Sequence, residues 1–150
     1  MVMEITVNDS DKSEAHDPME EQPNGSVKPL ERLLFVDDDM TILDGYKFIF
    51  ESEGFKVDLA TDSASMMKLV DENKYDMIIL DYHLRGEKGL DMINEIYEKK
   101  PHQKLVFISG QKNAEEELQR LGIPVAGFFL KPLKVEDLLD FITAKLHEIN

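Results

Sequence analysis

The chain has 150 residues, with 17 Lys and Arg against 31 Asp and Glu, a formal net charge of −14 at pH 7. That length suits one domain, and 42% hydrophobic residues supply a core, which excludes wholesale disorder. Cysteine is absent, which excludes disulfides, thiolate metal sites and thiol nucleophiles. No run approaches the roughly 18 apolar residues of a membrane span, and the start MVMEITVNDSDKSE lacks the basic and apolar stretches of a signal peptide. These features predict a cytoplasmic protein with no membrane partner. The acidity predicts no direct nucleic-acid contact, because phosphate backbones are held by Lys and Arg stripes.

Residues 1–30 read as a flexible acidic tail or linker. They hold Glu4, Asp9, Asp11, Glu14, Asp17, Glu20 and Glu21 against Lys12 and Lys28, a net charge of −5. Pro18, Pro23, Pro29 and the turn pair Asn24-Gly25 interrupt them, leaving too little apolar surface to offset the entropy of ordering. The alternation of Met3, Ile5 and Val7 keeps one short strand open as an alternative. Residues 31–150 read as the one folded domain, with 24 acids and 15 bases.

From residue 31 short apolar runs alternate with helical spacing. A strand at 33–36 (LLFV) precedes a helix with the face Ile42, Leu43, Tyr46, Ile49 and Phe50, closed by Gly54. The run 55–60 (FKVDLA) alternates, placing Lys56 and Asp58 on one face, as a half-exposed edge strand does. Met66, Met67, Leu69 and Val70 form the second helical face, and 77–80 (MIIL) the third strand. Leu90, Ile93, Ile96 and Tyr97 predict the third helix, and 105–108 (LVFI) the fourth strand. Ala114, Leu118 and Leu121 predict a fourth helix, opened by a capping box of Asn113 and Glu116 and closed by Gly122. A strand within 125–130 and a helix with the face Leu138, Leu139, Ile142 and Leu146 complete the series. Five strands alternating with five helices predict a parallel sheet covered on both faces, and LLFV, MIIL and LVFI are apolar throughout, as its buried strands must be.

Ligands of such sheets bind beyond the carboxyl ends of the strands. There the first strand is followed by Asp37, Asp38 and Asp39, the third by Asp81, the fourth by Ser109 and the fifth by Lys131. Singly, each has a plain structural role: a helix cap, a turn residue, a loop serine, a solvated lysine. Together they form a constellation. Asp38 and Asp81 on neighbouring strands repel unless a cation lies between them, and Mg²⁺ suits a few carboxylates plus phosphate. A carboxylate, a hydroxyl and an ammonium beside such an ion make a phosphoryl-transfer arrangement, with a carboxylate as candidate nucleophile.

LLFVDDD, MIILDYHLRGEKGLDMI, LVFISG and GFFLKPL resemble the receiver domain of two-component response regulators, over about residues 31–149. The resemblance implies a flavodoxin-like (βα)5 doubly wound fold, a five-stranded parallel sheet with strand order 2-1-3-4-5. It implies Asp81 as the acceptor of a phosphoryl group from a histidine kinase or histidine phosphotransfer protein. It further implies Mg²⁺ held by Asp38, Asp81 and the His83 carbonyl, with Asp37 acting through water. Lys131 and Ser109 would contact the phosphoryl group, and Phe128 would be the switch aromatic, though a plain core aromatic reads equally well there. Lys131-Pro132 matches the family's cis peptide. Such a protein catalyses only its own phosphorylation and slow dephosphorylation, and signals to a downstream protein target. Its expected form is a stand-alone regulator of the chemotaxis-regulator type, with a receiver cut from a longer hybrid kinase as the variant; the oligomeric state is left open. Arg85, Gly110 and Lys134 depart from the family's Pro, Ala and Ser/Thr, while His83 and Gln111 stand where the lifetime of the phosphorylated state is tuned.

The rival enzyme reading is a haloacid-dehalogenase-like phosphohydrolase with Asp37 as nucleophile, from the run Asp37-Asp38-Asp39-Met40-Thr41. It leaves Asp81 unexplained and lacks an acidic pair at a further strand end. A flavodoxin-type cofactor binder conflicts with three carboxylates where a phosphate would sit. The full set of acids, hydroxyl and lysine makes a further alternative, a receiver-shaped interaction module without phosphorylation, unnecessary.

Overall fold

The structure, a computed structural model, describes residues 19–21 and 27–147. The chain divides into two units, Met1–Leu30 and Glu31–Asn150. In the first, β1 (Met19–Glu21) and β2 (Val27–Pro29) pair antiparallel, with Glu20 opposite Lys28. The sequence does not announce this pair, because three-residue segments carry no readable period. The possible strand of Met3, Ile5 and Val7 and the turn at Asn24-Gly25 lie outside the described residues.

The second unit runs β3 (Arg32–Val36), α1 (Met40–Ser52), β4 (Lys56–Ala60), α2 (Ser63–Glu72), β5 (Met77–Asp81), α3 (Gly89–Lys99), β6 (Leu105–Ser109), α4 (Asn113–Arg120), β7 (Gly127–Leu130) and α5 (Val135–Leu146). Its strands are parallel in the order β4-β3-β5-β6-β7, which is 2-1-3-4-5 counted within that sheet. The expected fold is the observed one. Alternation along β3 divides the core into two layers. Leu33 and Phe35 join Leu43, Phe50, Leu138 and Ile142 under α1 and α5. Leu34 and Val36 join Met66, Met92, Ile96 and Leu118 under α2, α3 and α4. Phe50 is fully buried with its ring 5.0 Å from Phe35, and burial of one such side chain is worth about 1.5–3 kcal/mol. The central strands β5 and β6 are buried at every residue, whereas β4 and β7 are partly exposed, as edge strands are. No helix among the described residues is long and apolar enough to cross a membrane.

The helix ends follow local chemistry. Asp39 caps α1, accepting from the amides of Thr41 and Ile42, and Asp62 caps α2 through the Ser65 amide. Gly54 and Gly122 have φ of 100° and 69°, the left-handed geometry expected where those helices stop. The capping box at Asn113 is corrected. Lys112 occupies the cap with helical dihedrals and no side-chain hydrogen bond. The turn from the Ala114 amide to the Gln111 carbonyl has begun by then, so Asn113 already lies within the first turn and cannot take the extended conformation of a cap.

Two buried tyrosines tie the helical layer to carboxylates. The Tyr75 hydroxyl donates to Asp58 Oδ2 (2.6 Å), which also accepts from Arg32 Nε (3.1 Å). The Tyr82 hydroxyl donates to Glu117 Oε1 (2.6 Å). Burial, and then the carboxylate each one faces, raises both phenols above their ordinary value. A raised phenol favours the folded state fully below the unfolded value of about 10, and that stability is lost as pH rises through the folded value. Urea midpoints should therefore fall steeply above pH about 10, and the Tyr75→Phe/Tyr82→Phe double variant should show a shallower decline.

Candidate functional site

The sheet order reverses direction at β3, and the crevice beyond its carboxyl end collects the polar residues that follow the strands. Asp37 and Asp38 follow β3, Asp81 ends β5, Ser109 ends β6 and Lys131 follows β7. Asp37 and Asp81 are buried, and Ser109 is fully so. Asp37, Asp38 and Asp81 each offer a carboxylate oxygen, and the three lie within 4.8 Å of one another. Lys131 Nζ donates to Asp81 Oδ2 at 3.1 Å and lies 3.8 Å from Asp37 Oδ2.

Backbone amides fix how these groups point. Asp37 Oδ1 accepts from the Asp39 amide (2.9 Å), Asp81 Oδ1 from the His83 amide (3.1 Å) and Asp38 Oδ2 from the Arg85 amide (3.0 Å). This leaves the second oxygens of Asp37 and Asp81 turned to Lys131. Asp39, the remaining acid of the run, is occupied as the cap of α1. Ser109 Oγ accepts from the Gln111 amide (2.9 Å) and lies 3.2 Å from His83 Nδ1. Phe128 is half-buried against the α2–α3–α4 layer, and Lys131-Pro132 is a cis peptide. Asp37, Asp38, Asp81, His83, Ser109 and Lys131 thus lie at one sheet edge, whereas Phe128 sits inside β7, paired with Phe107.

The electrostatics are those of a pocket short of positive charge. Burial raises the Asp37 carboxyl, and the charges of Asp81 and Asp38 add to that, against the Asp39 amide and Lys131. Burial by itself would lower the Lys131 ammonium; the hydrogen bond and charge of Asp81, with Asp37 behind it, outweigh this and raise it. Three oxygen-donor acids with one ammonium fit a hard divalent cation, which takes carboxylate and carbonyl oxygens. Without divalent cations, Asp37→Asn should melt a few degrees above the wild type at neutral pH, since it removes one of three mutually repelling charges; differential scanning fluorimetry reads this directly.

Sequence reasoning missed the contacts that hold the loop after Asp81. Glu87 accepts from both the amide (2.9 Å) and the hydroxyl (2.6 Å) of Ser63, joining that loop to the start of α2. The Tyr82–Glu117 bond joins the same stretch to α4. These pairings lie 24 and 35 residues apart, and no periodicity signals them.

A family model described as the response regulator receiver domain matches residues 33–143. The chain belongs to that family. Among curated relatives, the aerobic respiration control protein ArcA of Escherichia coli K12 is 31% identical over 106 residues, covering 71% of this chain and 44% of ArcA. The transcriptional regulatory protein QseB of Escherichia coli O157:H7 is 28% identical over 119 residues, covering 79% of this chain and 54% of QseB. The chain spans about half the length of these relatives. A CheY-like receiver from Methanospirillum hungatei superposes with a TM-score of 0.72 at 28% identity, covering 78% of this chain and 94% of that one. The regulator TrrA of Thermotoga maritima, solved in complex with Mg²⁺-BeF, gives 0.68 at 26% identity, covering 78% and 99%. The receiver fold accounts for the reversal point and for the acids gathered there. The phosphohydrolase alternative gains nothing from these comparisons. The acidic pair it needs is also missing from the described strand ends, because Asp137 and Asp140 lie on α5.

Proposed function

We propose that Asp81 is the phosphoacceptor of this receiver, taking a phosphoryl group from a phosphohistidine of a histidine kinase or phosphotransfer protein. One observation carries the reading: the Asp81 carboxylate meets Lys131 at 3.1 Å and lies in one cluster with the carboxylates of Asp37 and Asp38, whose oxygens are within 4.8 Å of its own. An Asp81 oxygen attacks phosphorus, the new O–P bond forms as the N–P bond of the donor imidazole breaks, and the electron pair returns to the imidazole nitrogen. Lys131 holds Asp81 in place beforehand and then neutralises a phosphoryl oxygen. Ser109, released from His83 and Gln111, hydrogen-bonds a second oxygen, and Phe128 follows it inward as the switch. Asp38, Asp81 and the His83 carbonyl would hold Mg²⁺ directly, with Asp37 acting through water. The ion, when bound, supplies charge neutralisation for the phosphoryl oxygens. The Mg²⁺-BeF complex of TrrA supports this choice of ion.

On this reading the domain is a signalling element and not a turnover enzyme. Its output is contact with a downstream protein, its acidic body disfavours nucleic acid, and residues 1–30 serve as tail or linker. The test is to incubate the protein with a small acyl phosphate, with and without Mg²⁺, and locate the modified residue by mass spectrometry. Modification of Asp81 that requires the metal is the expected result. Modification of Asp37, or modification without metal, would overturn it.

A further inference from the structure

The edge of the sheet opposite the phosphoacceptor pocket carries charge of the other sign. There the α2–β5 and α3–β6 connections, with the start of β3 and the end of α5, enclose an open groove of about 710 Å³. Lys74, Lys99, Lys100 and Lys104 line it, together with Glu31 and Asp76. Four of the 15 bases in residues 31–150 are thus gathered at one place in a chain of net charge −14.

The acids of the groove are already engaged. Asp76 Oδ2 accepts from the Arg32 amide (2.7 Å), and Glu31 pairs with His147 (2.8 Å). Of the lysines, Lys99 meets Asp71 at 3.0 Å, while Lys74, Lys100 and Lys104 have no carboxylate partner among the described residues. These three ammonium groups without an ion pair, on connections that line one groove and with Lys99 beside them, outnumber its two acids and leave a locally positive potential that attracts an anion.

We propose that this groove docks an acidic, flexible segment of a partner protein. The form of the site decides against a compact small anion. A small-molecule site buries most of its ligand and presents fixed polar groups, whereas these lysines sit on long stems at an open rim, with Lys74, Lys99 and Lys104 exposed. Mobile point charges spread along a rim suit a chain carrying several carboxylates, held by many weak contacts. The groove lies away from Asp81, so a partner can be held there without covering the phosphoryl pocket.

Titration of the full chain with an octaglutamate peptide, followed by amide NMR shifts and fluorescence anisotropy, tests this. Shifts confined to residues 73–76 and 99–104 are expected, with binding that weakens about tenfold or more from low to high salt. A Lys74→Gln/Lys100→Gln/Lys104→Gln variant, altered only at the rim, should bind the peptide about tenfold or more weakly. It should keep the wild-type melting temperature and the wild-type rate of modification by acyl phosphate. No binding, shifts elsewhere, or unchanged affinity in the variant would overturn the proposal. So would tight binding of inorganic tripolyphosphate at the same lysines with none of octaglutamate, which would make the groove a small-anion site.

Discussion

Replacing Asp81 by Asn should lower phosphoryl incorporation from a small acyl phosphate by about 10³-fold or more, as removal of a nucleophile does. The amide keeps the shape of the side chain and can still accept from the His83 amide, now 3.1 Å from Asp81 Oδ1. What it loses is the anionic oxygen that faces Lys131 and would form the bond to phosphorus. The same change removes one of three clustered acids, so the variant should melt at or above the wild-type temperature, and lost incorporation cannot be put down to unfolding. Lys131→Ala should cost less, about 10²-fold, because it removes a stabilising charge and leaves the nucleophile. Retained incorporation in Asp81→Asn would move the acceptor elsewhere, and loss of incorporation in Asp37→Asn with retention in Asp81→Asn would restore the hydrolase reading.

The site was legible in the sequence for a definite reason. Strands buried on both faces have to be apolar throughout, so LLFV, MIIL and LVFI mark their own ends, and whatever polar residue follows stands at the ligand-binding edge. Asp37, Asp38, Asp81 and Ser109 could be named in this way before any contact was known, and Lys131 from the shorter apolar run GFFL of the edge strand. What could not be read is how the backbone aims them. The amides of Asp39, His83 and Arg85 orient the three acids, and main-chain donors are the same at every residue type. The opening of α4 failed for a related reason: Asn113 and Glu116 have cap-forming types, but an upstream turn set the helix start. The lysine groove depends on Lys99 at the end of α3 and three lysines from two connections, which meet only in three dimensions.

Gly89→Ala and Gly45→Ala should move stability in opposite directions, although both put the better helix former into a helix. Gly45 lies on the exposed face of α1, and a Cβ there would meet nothing within 4 Å. Alanine at that position should stabilise by up to about 1 kcal/mol. Gly89 is the first residue of α3 and is buried. A Cβ there would fall 2.5 Å from Tyr82 Cδ1, 2.7 Å from Cε1 and 2.7 Å from the Tyr82 carbonyl oxygen. The ring cannot simply turn aside, because its hydroxyl is held by Glu117 and its edge rests on Phe107, with centroids 6.0 Å apart. Overlap of this kind costs about 1–3 kcal/mol, which exceeds the gain in helix propensity, so Gly89→Ala should be net destabilising in urea unfolding. In a double-mutant cycle Gly89→Ala should cost less in a Tyr82→Ala background than in the wild type, but still something, since the contact with the carbonyl oxygen remains. Tyr82 directly follows Asp81, so the strain also reaches the pocket, and Gly89→Ala should slow modification of Asp81 while Gly45→Ala leaves it unchanged. Equal effects of the two substitutions on stability would mean that helix propensity, and not the packing of Tyr82, governs the loop behind the phosphoacceptor.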